Sequence, residues 1–181
     1  MHLKYGRYEE IKKIISTIYV DYGISKIPFD VVEFCGMAGF KLIPYSRCSK
    51  EKKEFLLRFS EDGLSYYDEN KKSYVIIYND ITVSKQRQRF TIMHEVGHIM
   101  LEHKNSSDKE EAEANFFARN ILAPMPLIIL YELNDVNRIA TLFDISIECA
   151  KISLENYIKR KKTVFSKLKD YEIELISNFK K

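Results

Sequence analysis

His94, Glu95 and His98 stand within five residues, in the stretch His94-Glu95-Val96-Gly97-His98, and together they could do metal-assisted hydrolysis. On an α-helix, positions four apart differ by about 40° in azimuth and about 6 Å in height, so the two histidines project as neighbours from one face. Two imidazoles so placed can chelate one metal. Zinc fits best, because neutral imidazole nitrogens suit it and a catalytic zinc takes three protein ligands and leaves a fourth position open. Glu95 stands beside this pair, where a carboxylate could take a proton from a water in the open position, the general-base role that the H-E-x-x-H pattern carries. A blander reading is a helix whose histidines only make hydrogen bonds on a half-buried face, and five residues alone leave it open.

The same helix cannot easily supply the third ligand. Glu102 lies on the same face but about 12 Å from His94 along the axis, and His103 is rotated roughly 180° from it. Leu101 occupies the place of the metzincin glycine. The ligand should therefore come from another element. Lys104-Asn105-Ser106-Ser107 reads as a loop, and Ser107-Asp108-Lys109-Glu110 as a capping box that opens a second helix, which makes an antiparallel hairpin. From His98 to the end of its helix is about 7.5 Å, and from Ser107 to Glu111 about 6 Å, so Glu111 returns to the level of His98. Its face continues through Ala114, Asn115, Ala118 and Leu122, and the alanines permit close approach. Glu113 is turned about 200° away and Glu110 belongs to the cap, which leaves Glu111 as the expected third ligand. Gly97 costs its helix about 1 kcal/mol against alanine and points to a neighbour packed closely on it.

At these residues the chain resembles the ImmA/IrrE family of metallo-endopeptidases: His94-Glu95-Val96-Gly97-His98, then Glu111-Ala112-Glu113-Ala114-Asn115-Phe116-Phe117-Ala118 and Leu122-Ala123-Pro124. The resemblance extends from roughly Pro28 through the helices after Pro124. It implies a gluzincin-like zincin domain in which His94, His98 and Glu111 bind zinc, Glu95 is the base, and Asn115 orients a ligand from behind it. It also implies site-specific cleavage of a cytoplasmic transcriptional repressor or antitoxin, often one encoded by a phage or mobile element. Ile121-Leu122-Ala123-Pro124 departs from the usual Leu-Leu-Met-Pro ending, a change of packing and not of chemistry.

The elements that must position these residues can also be read. At 181 residues and 45% hydrophobic, the chain can bury one sizeable core. The expected fold is α+β, with residues 1–130 as a zincin-like domain and 131–181 as a helical appendage packed on it. A net charge of +3 from 29 basic and 26 acidic residues is too balanced to argue for nucleic acid. Cys35, Cys48 and Cys149 are odd in number and lack metal-like spacing, as expected of reduced thiols in a cytoplasm. Met1-His2-Leu3-Lys4-Tyr5-Gly6 has no apolar signal core, and no apolar run reaches the ~20 residues of a membrane span.

Tyr8, Ile11, Ile15, Ile18 and Tyr22 recur at spacings of three and four, the stripe of an amphipathic helix. Pro28-Phe29-Asp30 starts a short second helix closed by Gly36 and Gly39. Lys41-Leu42-Ile43-Pro44-Tyr45 reads as an edge or broken strand because of its proline, and Lys50-Glu51-Lys52-Lys53-Glu54 as a solvated surface segment. Leu64–Tyr67 and Ser73–Tyr78 flank Asp68–Lys72 as a hairpin, giving a small antiparallel sheet ahead of the metal helix. Its exposed edge could take a substrate as an extra strand, and Tyr66, Tyr67 or Tyr78 could stabilise an oxyanion. Ser84 is the expected cap of the metal helix.

Asp135 to Ser146, with the helix from Ile147 to Arg160, resembles a helix-turn-helix unit. Ser146, Ile147 and Lys151 would lead its reading face, but Glu148 and Glu155 share that helix and carboxylates repel phosphates. The basic run Lys159-Arg160-Lys161-Lys162 with Lys167 and Lys169 reads first as a solvated helix end. DNA binding is the lesser expectation and a protein partner the greater; the rival class is a non-catalytic transcriptional regulator or antirepressor that uses this segment.

Overall fold

The computed structural model describes residues 5–105, 107–162 and 167–179. The amino-terminal stretch read for a signal, apart from Tyr5 and Gly6, and Ser106 of the interhelical loop lie outside the described residues. The fold is α+β. Helix α1 (Tyr5–Asp21) buries the expected stripe, with Ile11, Ile15 and Ile18 in the main core. Helix α2 (Val31–Met37) is capped by Asp30, whose carboxylate accepts from the backbone N–H groups of Val32 and Glu33. Strand β1 (Lys41–Pro44) leads into a 3-10 turn (Tyr45–Arg47). The charged run that follows is helical: α3 (Lys50–Phe59) is capped by Ser49 and anchored by Leu56, while its charged first turn faces solvent.

Strands β2 (Gly63–Asp68) and β3 (Ser73–Tyr78) form the expected antiparallel hairpin, but β1 joins the other side of β3 in parallel. The sheet is therefore mixed, with order β1-β3-β2. Pro44 tolerates this place because β1 is an edge strand and needs no N–H on its outer side. Central β3 carries Val75, Ile76 and Ile77, all buried. Gly63 is required where β2 passes the helix after it. A Cβ there would stand 2.7 Å from the Ile77 carbonyl oxygen and 2.8 Å from Thr91 Cγ2.

Helix α4 (Lys85–Met100), capped by Ser84, and helix α5 (Asp108–Leu122), opened by the Ser107–Glu110 capping box, form the antiparallel hairpin. Gly97 sits at their closest approach, where a Cβ would lie 3.2 Å from both Ala114 Cα and Phe117 Cδ1.

Helices α6 (Met125–Leu130), α7 (Val136–Phe143), α8 (Ile147–Lys161) and α9 (Asp170–Ser177) follow. Phe143, Cys149, Ala150 and Leu175 lie in the same core cluster as α1, α4 and α5. Asp144 ends α7 in the left-handed conformation. The Arg89 guanidinium donates to the carbonyls of Asp144 at 3.1 Å and Phe143 at 3.3 Å, and Gln86 donates to the Asp144 carboxylate at 2.8 Å. At the other end, α9 is tied to α1 through Glu9, which accepts from Lys169 and, at 2.8 Å, from the Tyr171 hydroxyl. No helix among the described residues is long and apolar enough to cross a membrane.

Gly63→Ala should destabilise the protein by about 1–3 kcal/mol, the usual range for overpacking, because the opposing atom is backbone. Gly36→Ala, whose Cβ meets nothing within 4 Å, should be neutral or slightly stabilising in helix α2. Denaturant midpoints of the two variants test this difference.

A second expectation concerns acid. Burial alone would lift the Glu9 carboxyl, but hydrogen bonds from Lys169 and Tyr171 and the charge of Lys12 bring it down to about 2 from an ordinary 4.5. A depressed carboxyl contributes stability that is fully present above the unfolded value and lost as pH falls through the folded one. Glu9→Gln should therefore differ most from wild type above pH 4.5, with the difference fading towards pH 2, as urea unfolding across that window would show.

Candidate metal centre

The α4–α5 hairpin places His94, His98 and Glu111 on facing sides of one cleft. His94 Nε2 lies 3.0 Å from His98 Nε2. Glu111 Oε2 lies 3.3 Å from the first imidazole nitrogen, and Oε1 lies 3.4 Å from the second. Donors bound to zinc at 2.0–2.1 Å in a tetrahedron stand about 3.3 Å apart. The three side chains are thus already spaced as three corners of such a site, and they are a set that could hold a metal ion.

The other ring nitrogens explain why these three converge. His94 Nδ1 lies 3.2 Å from Asn115 Oδ1; with the amide oxygen accepting, the ring proton sits on Nδ1 and the lone pair on Nε2. His98 Nδ1 lies 3.0 Å from His103 Nδ1, on the side of the ring away from Glu111. With both protons on Nδ1, two lone pairs and a carboxylate face one point with no donor among them. Such a set calls for a cation. Burial chiefly holds both imidazoles below their ordinary range, against the pull of the Glu111 charge, so both favour the neutral form that ligates metal.

Glu95 points to the sheet side of the cleft, where its Oε2 accepts from the Ser65 hydroxyl at 2.7 Å. Burial is the main influence on its carboxyl and leaves it raised, with the Ser65 hydrogen bond and His98 working in the opposite direction. A carboxyl raised by desolvation and held by one hydroxyl is a better proton acceptor than an ordinary carboxylate.

A cavity of about 230 Å³ opens beside the donor set, lined by Asp62, Arg87, Phe90, Thr91, His94, Glu111 and Asn115. In its lining the Arg87 guanidinium makes a two-pronged pair with Asp62, one arm at 2.8 Å. A larger cavity of about 470 Å³ shares Arg87, Phe90 and Asn115 and runs on to Ser146, Glu148, Cys149 and Ile152 of the α7–α8 unit. Shared walls thus set the two cavities side by side, one at the candidate metal site and one at the start of α8. The sequence places Ser146, Ile147 and Lys151 at the head of a DNA-reading face; all three are exposed here, and Ser146 also lines this cavity.

All the sequence-derived candidates, His94, Glu95, His98, Glu111 and Asn115, meet in this cleft. Tyr66 and Tyr67 are exposed on β2, and neither they nor Tyr78 lines the cavity beside the donors. Sequence reasoning missed Ser65, which no motif marks. It also set aside His103 and Glu113, although both belong to the histidine network.

Compared with known protein families, residues 53–155 match the peptidase M78 model, described as the IrrE N-terminal-like domain, over more than half of the chain. Among curated proteins none matches.

Purified protein loaded with zinc should bind about one ion per chain. Asn115→Ala should weaken binding by roughly 10–100-fold, the usual effect of removing a ligand's orienting partner, and His94→Ala should weaken it more. Competition with a chromogenic chelator measures each, and unchanged affinity in Asn115→Ala would separate that residue from the site.

Proposed function

Because this chain belongs to the peptidase family of the IrrE N-terminal-like domain, we propose that it is a cytoplasmic zinc-dependent endopeptidase that cleaves a helix-turn-helix repressor or antitoxin of a phage or mobile element. The observation that carries the catalytic part is the convergence of His94, His98 and Glu111 at tetrahedral spacing, with the Glu95 carboxylate free of that set and held by Ser65. A purely structural metal site has no use for such a carboxylate.

Zinc, when bound, would polarise a scissile carbonyl and lower the pKa of a water toward ~7. His94, His98 and Glu111 would hold it, and Asn115 would keep the His94 lone pair directed at it. Glu95 takes the proton from the attacking water and passes it to the leaving nitrogen, a role its raised carboxyl suits. Ser65 keeps that carboxylate on the sheet side, between the substrate and the helix.

The substrate backbone has a natural place. Strand β2 is an edge of the sheet and carries Ser65, so a peptide added along it would pass over Glu95 and gain main-chain hydrogen bonds. The neighbouring cavity lined by Ser146, Cys149 and Ile152 offers room for side chains at one end of that peptide. Glu148 and Glu155 share helix α8 with Ser146, Ile147 and Lys151, and carboxylates repel phosphates, which supports a protein partner over a DNA operator.

Glu95→Gln keeps size and leaves all three ligands in place, so zinc should stay bound while cleavage falls by about 10² to 10⁴-fold, the usual share of acid-base catalysis. Co-expression with the repressor of a neighbouring reading frame, followed by mass spectrometry of its fragments, tests this. Equal cutting by wild type and Glu95→Gln would overturn the mechanism. If neither cuts but both bind the repressor and release it from DNA, the chain is an antirepressor on a protease fold.

A further inference from the structure

The inference concerns the side of His98 that faces away from the cleft, and it rests on the reading of His94, His98 and Glu111 as a zinc site. Helix α4 ends with its Leu101 and His103 backbone N–H groups donating to the carbonyls of Gly97 at 3.0 Å and His98 at 3.0 Å. Glu102 lies between them at φ 55°, a left-handed residue that reverses the chain as in the common helix-closing motif. The reversal carries His103 back over the ring of His98, with ring centres 5.0 Å apart and planes near perpendicular.

His103 is held there from behind. Its Nε2 lies 3.2 Å from Glu113 Oε2, and the same oxygen accepts from Arg7 of α1, through Nε at 2.8 Å and Nη2 at 2.7 Å. The His103 and Glu113 side chains are only 5% and 2% exposed. Lys109 Nζ stands 3.7 Å from the other Glu113 oxygen, which has no hydrogen-bond partner among the described residues. A carboxylate so deeply placed must be paired to be tolerated, and its partners here are Arg7, His103 and Lys109.

The direction of these hydrogen bonds follows from their ends. A carboxylate only accepts, so His103 places its proton on Nε2 and its Nδ1 becomes an acceptor. That acceptor takes the proton of His98 Nδ1, which leaves the His98 lone pair on Nε2, toward His94 and Glu111. The reverse arrangement, with a proton on His103 Nδ1, would move the His98 proton to Nε2 and turn a ligand into a donor.

We propose that His103 is a positioning residue whose chain of contacts through Glu113 to Arg7 fixes the tautomer and orientation of His98 and thereby sets the metal affinity of the site. Histidine ligands are ordinarily oriented by a carboxylate, a carbonyl or water; here a second imidazole is interposed, and it joins the site to the amino-terminal helix.

The test uses the full chain and zinc alone. In zinc-loaded wild type, long-range proton–nitrogen spectra should show His103 with its proton on Nε2 and an unprotonated, accepting Nδ1; a proton on His103 Nδ1 overturns the proposal whatever the variants do. His103→Phe should weaken zinc binding by roughly 10–100-fold in chelator competition, whereas His103→Asn, which returns an acceptor near the position of Nδ1, should recover most of it. Equal loss in both variants, with the metal-free melting temperatures unchanged, would reduce His103 to packing and overturn the relay. Wild type that binds no zinc fails the parent reading of the site, whereas zinc binding untouched by His103→Phe fails this inference alone.

Discussion

The close approach of α4 and α5 is the constraint on which the remainder of the site depends. Gly97 and Ala114 meet where any Cβ on Gly97 would come within 3.2 Å of the facing backbone. That contact brings Glu111 level with His98 and narrows the gap between the two helices to a distance three short donor arms can span. A wider hairpin, at the 8–10 Å usual for larger contact residues, would leave the Glu111 carboxylate short of the imidazoles. Glycine is unfavourable inside a helix, and its presence in α4 is explained by this contact.

The polar groups of the site are organised in two layers with opposite tasks. Facing the cleft are lone pairs without donors, His94 Nε2, His98 Nε2 and the Glu111 carboxylate, an arrangement that water alone satisfies poorly and a cation satisfies well. Behind them each Nδ1 has a partner, Asn115 for one ring and His103 for the other, and Ser65 restrains Glu95. Burial raises the Glu95 carboxyl and lowers both imidazoles. Desolvation thus shifts acid and base in opposite directions, since in each case it opposes the charged form.

The carboxy-terminal helices bear on the same cleft. Arg89 and Gln86 come from the first turns of α4 and fasten the end of α7, which holds the start of α8 against the cavity beside Asn115 and Phe90. A unit with the outline of a helix-turn-helix thereby lines a cavity that adjoins the one beside the candidate metal site.

Local rules were enough for much of this protein. Helical periodicity and capping boxes are short-range, so α1, α4 and α5 could be read directly; helical rise brings Glu111 level with His98, helical rotation turns Glu113 away, and the capping box claims Glu110. The hairpin β2–β3 was legible for the same reason. Where the chain stops obeying one repeating geometry, reading from sequence fails. His103 was set aside on an ideal helical wheel, but α4 ends at Met100 and the left-handed Glu102 turns His103 back over His98. Glu113 does face away from Glu111, and only the packing of α1 shows that the far side holds Arg7 and His103. Ser65 meets Glu95 across thirty residues, and β1 pairs with β3 in parallel across more than thirty. No pattern within either segment encodes such partners, because long-range pairing is decided by which surfaces the folded core leaves for one another.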